Sequence, residues 1–240
     1  MPAVSAVVTQ SGMRFVLILL VPMLAAWAGK EFRVLTSNIH HGEGMDGRID
    51  LARIAKLIRQ SRAGIVALQE VEQRTKRNGG VDALGTLGEM TKLGSRWFSR
   101  GGVWQRALIR STIERHSMHP IPASFGREPR AILRAEVRLN GRRHAILVMA
   151  ASWDHEAQVD RMAGDFNANP SNSAVKMLSG TWMMSGAAAP PHIFPMAAPK
   201  GQIDDILARP GSAWTLREAQ LPPEIVASDH RPLLARLRRN

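Results

Sequence analysis

The sequence has no cysteine and no tyrosine, and only six of its 32 basic residues are lysine. The missing thiols exclude disulfides, thiolate zinc sites and cysteine nucleophiles. Aromatic residues make up 5% of the chain, so stacking platforms for single-stranded nucleic acid are scarce. Long apolar runs are also lacking. The longest, Phe15 to Ala28, is interrupted by Pro22 and is too short for a comfortable transmembrane helix. It follows Met13-Arg14 and ends in Ala26-Trp27-Ala28 before Gly29-Lys30, the pattern of a secretory signal with an Ala-x-Ala cleavage site. Residues 1–28 are therefore expected to be a signal peptide or, alternatively, an uncleaved N-terminal anchor, with residues 1–12 an extension ahead of a plausible start at Met13. The expected location is periplasmic or secreted, or anchored by the apolar segment. Residues 29–240 are expected to form one domain.

What is present suits a globular enzyme-sized domain. The chain has 240 residues, 45% of them apolar, enough for a full core. The charge balance is strongly basic, +12, and the excess is concentrated. Between Arg96 and Arg143 stand eleven arginines against three acids. Guanidinium forks bind phosphate bidentately, so a phosphorylated or polyanionic partner is favoured over an uncharged one, unless the arginines are simply solvated.

Several short apolar runs end in polar residues with chemical potential. Glu31 to Ile39 reads as a strand ending on Asn38, followed by the loop His40-His41-Gly42. The apolar positions 51, 54, 55 and 58 mark an amphipathic helix over Ile49 to Ile58. Ala63 to Val71 reads as a buried strand running into Gln69-Glu70, where a carboxylate is costly unless a cation, an arginine or solvent compensates it. Val81 to Leu93 is a weaker helix. Ala107 to Ile113, Ala131 to Leu139 and Arg143 to Ala151 read as strands, with Asn140-Gly141 a hairpin turn between the last two. Ser179 to Lys200 reads as a loop, and Ile203 to Leu207 and Pro232 to Leu237 as short final strands.

The stretch Gly164-Asp165-Phe166-Asn167-Ala168-Asn169-Pro170 carries the strongest chemical signal. In an extended chain Asp165 and Asn167 share one face and Phe166 turns to the other. A carboxylate that can orient water then lies beside an amide that can donate to a phosphate oxygen.

Together, Thr36-Ser37-Asn38, Gln69-Glu70-Val71, Gly164-Asp165-Phe166-Asn167, Ile203-Asp204 and Ser228-Asp229-His230 resemble, in order and spacing, the signature of the endonuclease/exonuclease/phosphatase superfamily. The resemblance implies an α/β fold, a four-layer α/β/β/α sandwich of two mixed sheets flanked by helices. It implies a Mg²⁺- or Mn²⁺-dependent phosphoesterase acting on a phosphodiester or phosphomonoester, such as nucleic acid or a phospholipid head group. It also implies roles: Glu70, aided by Asn38 and Asp229, for the metal; Asp165 for the attacking water; Asn167 for a phosphate oxygen; and His230, oriented by Asp204, for the scissile phosphate. A monomer with no obligate protein partner is expected.

The sequence departs from that pattern in three places. Ser152 stands where a histidine is expected, and Arg106 where relatives show an asparagine; either could contact substrate phosphate. Val159 to Ala163 makes a poor buried strand, which predicts a sheet built differently there, or a shortened member with weak hydrolysis at best. The alternative function is a catalytically impaired relative that binds polyanions through Arg96 to Arg143.

Overall fold

The computed structural model describes residues 31–100, 103–109, 113–121, 130–139, 142–150, 161–185, 192–209 and 214–239. The expected signal segment and Ser152 lie outside them.

Among the described residues, strands form two six-stranded mixed sheets. The first contains β1 (Glu31–Asn38), β2 (Ile65–Gln69), β3 (Gly94–Arg100), β4 (Val103–Ile109), β11 (Trp214–Gln220) and β12 (Leu233–Arg239), in the order β11-β12-β1-β2-β4-β3. The second contains β5 (Ile113–Ile121), β6 (Arg130–Leu139), β7 (Arg142–Ala150), β8 (Arg161–Asp165), β9 (Met183–Met184) and β10 (Asp204–Ala208), in the order β5-β6-β7-β8-β10-β9. Each sheet has one parallel pair near its middle. β1 and β2 run in step to Asn38 opposite Gln69, and β7 and β8 to Ala150 opposite Asp165.

Alternation along each strand decides which side chains meet. Phe32, Val34, Ile65 and Ala67 from the first sheet share one core with Leu133, Ala135, Ala163 and Ile206 from the second. The intervening Leu35, Val66 and Leu68 face the other way and share a second core with α1 (Leu51–Ser61) and α2 (Ala83–Thr91). α1 forms because Leu51, Ile54, Ala55 and Ile58 recur on one face, and it starts where the Asp50 carboxylate accepts from Arg53 N at 3.0 Å. It ends at Arg62, whose φ of 53° is left-handed. α3 (Ser173–Thr181) follows the Asp165 strand.

Most of the expected elements are present, with differences at the edges. The strand expected over Ala107 to Ile113 is instead the end of β4 and the start of β5. The loop expected over Ser179 to Lys200 includes the end of α3 and the short β9. The largest correction concerns Val159 to Ala163. Arg161–Asp165 does form a strand, parallel to β7 and antiparallel to β10, with Ala163 buried between the sheets. A small residue suffices there because the two sheets approach each other at that point, so low hydrophobicity did not prevent a strand. β3 and β11 gave little sequence signal. β11 is an edge strand, and its bulge between Leu216 and Glu218 switches the alternation that a period-two reading depends on.

Candidate active site

The site forms where the strand ends of both sheets meet. Asn38 stands on the same face of β1 as Phe32 and Val34, the face turned toward the second sheet, and is buried. Its amide nitrogen donates to Glu70 Oε1 at 2.9 Å and to Asp165 Oδ2 at 3.3 Å, while its oxygen accepts from His40 N at 3.0 Å. One amide therefore joins a carboxylate of the first sheet to one of the second. Glu70, just beyond β2, has a left-handed φ of 54°. The chain turns there, and Glu70 is exposed although the five residues before it are buried. Its charge thus stays hydrated at the mouth of the site.

On the second sheet, the antiparallel register of β8 and β10 puts Asp165 directly opposite Asp204. Asp165 Oδ1 accepts from Asn167 N at 2.8 Å, and Asn167 has φ 50°. This turn leaves Asn167 exposed and sends Phe166 into the core on the opposite face. Asp204 Oδ2 lies 2.8 Å from His230 Nδ1, and its other oxygen is buried with no hydrogen-bond partner among the described residues. The His230 loop is clamped by hydrogen bonds from Met196 N to Asp229 O at 2.7 Å and from Arg231 N to Ile193 O at 3.1 Å. Phe194 packs on the imidazole, with ring centroids 4.6 Å apart. Asp229 precedes His230, half-buried, and its Oδ1 accepts from the Ser228 hydroxyl at 3.2 Å.

Burial sets the electrostatics. Removal from water pushes Asp204 up from 3.8 to about 7, against the opposing pull of the His230 hydrogen bond. Burial likewise raises Asp165, opposed by the charge of His230, the Asn167 N–H and the Asn38 amide. His230 loses solvation too, which by itself would lower its pKa. The hydrogen bond to Asp204 and the charges of Asp204, Asp165 and Asp229 outweigh that loss and raise it from 6.5 to about 9. At neutral pH the imidazole is a cation facing carboxylates.

Ligand atoms of Asp165, Asp204 and His230 lie within 4.8 Å of one another, close enough to hold one metal ion. His230 Nδ1 is, however, already engaged by Asp204, an imidazole–carboxylate pair, while Glu70 beside Asn38 keeps an exposed carboxylate.

Of the residues expected from sequence, Asn38, Glu70, Asp165, Asp204 and His230 are joined by direct hydrogen bonds or by the close approach just described. Asn167 and Asp229 adjoin them in the chain. Arg106 lies on β4 opposite Leu68, near the site end of β2, but its side chain lies outside the described residues, as does Ser152. Sequence reasoning missed His40, whose backbone N–H fixes the Asn38 amide, and Phe194, which packs against His230. His40 had a signal in its position two residues after Asn38. Phe194 sits in an Ala- and Pro-rich stretch with no such mark.

Comparison with known proteins agrees with this geometry. The family model described as "Endonuclease/Exonuclease/phosphatase family" matches residues 35–230. No curated protein matches the sequence. Among solved structures, an endonuclease/exonuclease/phosphatase from Bacteroides vulgatus is 18% identical with a TM-score of 0.68, the alignment covering 88% of this chain and 99% of that one. Another from Beutenbergia cavernae is 18% identical with a TM-score of 0.67, covering 88% and 72%. The human Nocturnin catalytic domain, solved with a bound sulfate anion, is 16% identical with a TM-score of 0.67, covering 88% and 94%. At such identities the likeness concerns the fold, whereas the family match spans most of the sequence. The chain belongs to the endonuclease/exonuclease/phosphatase family.

Proposed function

We propose that the protein is a divalent-metal-dependent phosphoesterase, hydrolysing a phosphodiester or phosphomonoester at the junction of its two sheets. The observation that carries this reading is the Asn38 bridge from Glu70 to Asp165, set beside the Asp204–His230 pair. We also read the fold as a four-layer sandwich. α3 would supply the fourth layer, since its Val175 lines a small cavity with Phe166 and Asp205, which face away from the shared core.

The donor set fits a hard cation. Glu70 offers an exposed carboxylate, the Asn38 amide stands at the end of β1 and Asp229 lies in the loop before β12, an oxygen-rich set suited to Mg²⁺ or Mn²⁺. Glu70, with Asn38 and Asp229, would hold the ion. When bound, the ion would neutralise phosphate charge and make the phosphorus more electrophilic.

The remaining work falls to the chain. Asp165, made more basic by burial, takes a proton from the attacking water as the new oxygen–phosphorus bond forms and the ester bond breaks. The His230 imidazolium, its Nδ1 held by Asp204, offers Nε2–H to a phosphate oxygen and stabilises the charge that builds there. Asn167, exposed beside Asp165, donates its side-chain amide to a second phosphate oxygen.

The test is Mg²⁺-dependent cleavage of bis(p-nitrophenyl) phosphate and plasmid DNA. Asp165→Asn and Glu70→Gln should each lower turnover by about 10²- to 10⁴-fold, a size typical of lost acid–base or electrostatic groups. Absence of turnover across phosphodiesters and phosphomonoesters with Mg²⁺ or Mn²⁺ would remove this reading. The alternative, polyanion binding without turnover, would leave salt-sensitive affinity in both variants. Arg134 and Arg138 would contribute less to it, because they are already paired with Glu136 at 2.7 Å and Glu114 at 2.6 Å.

A further inference from the structure

The outer face of the β11-β12-β1 edge carries a second feature, well away from the strand ends just described. In β1 and β12 the residues that turn away from the shared core are Arg33 and Leu35, and Leu234 and Arg236. Arg33 and Arg236 are direct cross-strand partners, and Glu218 of β11 stands opposite Arg236 on its other side. Leu35 and Leu234 belong to the core beneath α1 and α2. Toward β11 the sheet has no described helix over this face. A hollow of about 250 Å³ opens there, lined by Arg33, Glu218, Gln220, Leu234 and Arg236.

This wall has more donors than acceptors. Like charges placed directly across a strand pair repel, so the Arg33–Arg236 register needs compensation. Arg236 is compensated in part: Nη2 lies 2.9 Å from Glu218, but Nε is 3.9 Å from Glu31 and is buried with no hydrogen-bond partner among the described residues. Arg33 is not. Its Nη1 donates to the carbonyl of Ser61, at the end of α1, at 3.2 Å, and among the described residues no carboxylate pairs with it. That single bond anchors the guanidinium at the rim and leaves the rest of its fork for a ligand. The Gln220 amide adds a neutral donor, and Leu234 forms an apolar floor.

We propose that this hollow is a binding site for a single tetrahedral oxyanion: inorganic phosphate or the terminal phosphate of a small phosphorylated molecule. Two guanidiniums facing one small volume match the bidentate geometry of phosphate oxygens. An anion between them would relieve the cross-strand repulsion. The size suits one phosphate with a small attached group and is too small for a polymer. Arg33 lies five residues before Asn38 on β1 and on the opposite face, so its end of the hollow is separated from the strand-end site by roughly 16 Å of strand. The proposal does not depend on the hydrolase reading.

The experiment is calorimetric titration of the full-length chain with sodium phosphate, in a chelator and at constant ionic strength, with sodium chloride as control. Wild type and His230→Asn should both bind phosphate saturably. Arg33→Gln should weaken that binding tenfold or more. Glu218→Gln, which removes the carboxylate that lines the hollow among the described residues, should tighten it several-fold, and this gives a readout even if an arginine variant fails to fold. A nucleoside monophosphate titrated in parallel separates the two ligand sources: tighter binding than inorganic phosphate identifies a phosphorylated small molecule, and equal or weaker binding the free ion. The proposal is overturned if phosphate binds no better than chloride, if binding survives Arg33→Gln but is lost in His230→Asn, or if Glu218→Gln weakens it.

Discussion

Asn38 is a neutral amide held between two carboxylates, and its value lies in that neutrality. It donates to Glu70 and Asp165 while His40 N fixes its oxygen. Asn38→Asp would bring a third carboxylate to the same point and remove both donated hydrogen bonds. Metal-free protein should lose about 1–3 kcal/mol, the usual cost of leaving buried polar groups unsatisfied, and millimolar Mg²⁺ should restore part of the loss. Urea denaturation with and without Mg²⁺ measures both effects. The Asp204–His230 pair makes a prediction about pH. The folded-state pKa of His230, about 9, is above its ordinary 6.5. Its stabilising contribution is therefore complete below pH 6.5 and is lost as pH rises through 9. Asp204, raised from 3.8 to about 7, favours the protonated folded form, so it also makes stability fall with rising pH, across the lower window from 3.8 to 7. In chelator, the unfolding midpoint should decline between pH 6.5 and 9. His230→Gln should flatten that decline; an equally steep slope in the variant would assign it to other groups.

At the scale of elements, β8 matters most, because it carries Asp165 to the site from between the sheets. Ala163 precedes Asp165 by two residues on the same buried face. Ala163→Leu should overpack the space between the sheets, at a cost of about 1–3 kcal/mol. It should also lower turnover by displacing Asp165 from Asn38, even though residue 163 touches no substrate. Thermal unfolding and steady-state kinetics read the two effects separately. α1 has a simpler dependence: Asp50→Ala removes the N-cap bond to Arg53 N and should cost about 1 kcal/mol. These elements differed in how easily sequence revealed them. α1 was visible because its buried positions repeat with helical spacing, and β2 because Ile65 to Leu68 is an unbroken apolar run. β8 was not, since Arg161, Met162, Ala163 and Gly164 do not look like a buried strand. Its place comes from ladders on both sides, to β7 and to β10. β11 was hidden by its bulge, and β3 by its polar edge position.

For the whole molecule, the controlling feature is the core shared by the two sheets. Glu70 belongs to one sheet and Asp165 to the other, so the site exists only while the sheets stay in register with each other. Ile65, fully buried in that shared core, is a direct probe. Ile65→Ala should cost about 2–5 kcal/mol, and in denaturant activity should vanish together with β-structure in one transition. Separate transitions would mean that the sheets unfold independently. The arginine excess acts at this scale too, through ion pairs such as Arg138 with Glu114 and through the open face at Arg33 and Arg236.

By itself the sequence showed the residue types of the candidate site and, for Asn38 and Asp165, the strand ends on which they stand. Those follow from local pattern: an apolar run that stops at a polar residue, an Asp-x-Asn turn, a histidine after an aspartate. It also determined the family, because five such marks occur in order. The tertiary structure decided which marks touch. The Asn38 bridge to Glu70 and Asp165, the Asp165–Asp204 register, the Phe194 contact with His230 and the cross-strand Arg33–Arg236 pair all join residues distant in sequence. Such contacts depend on sheet register and on how closely two sheets pack, and both are set by the collective fit of the core.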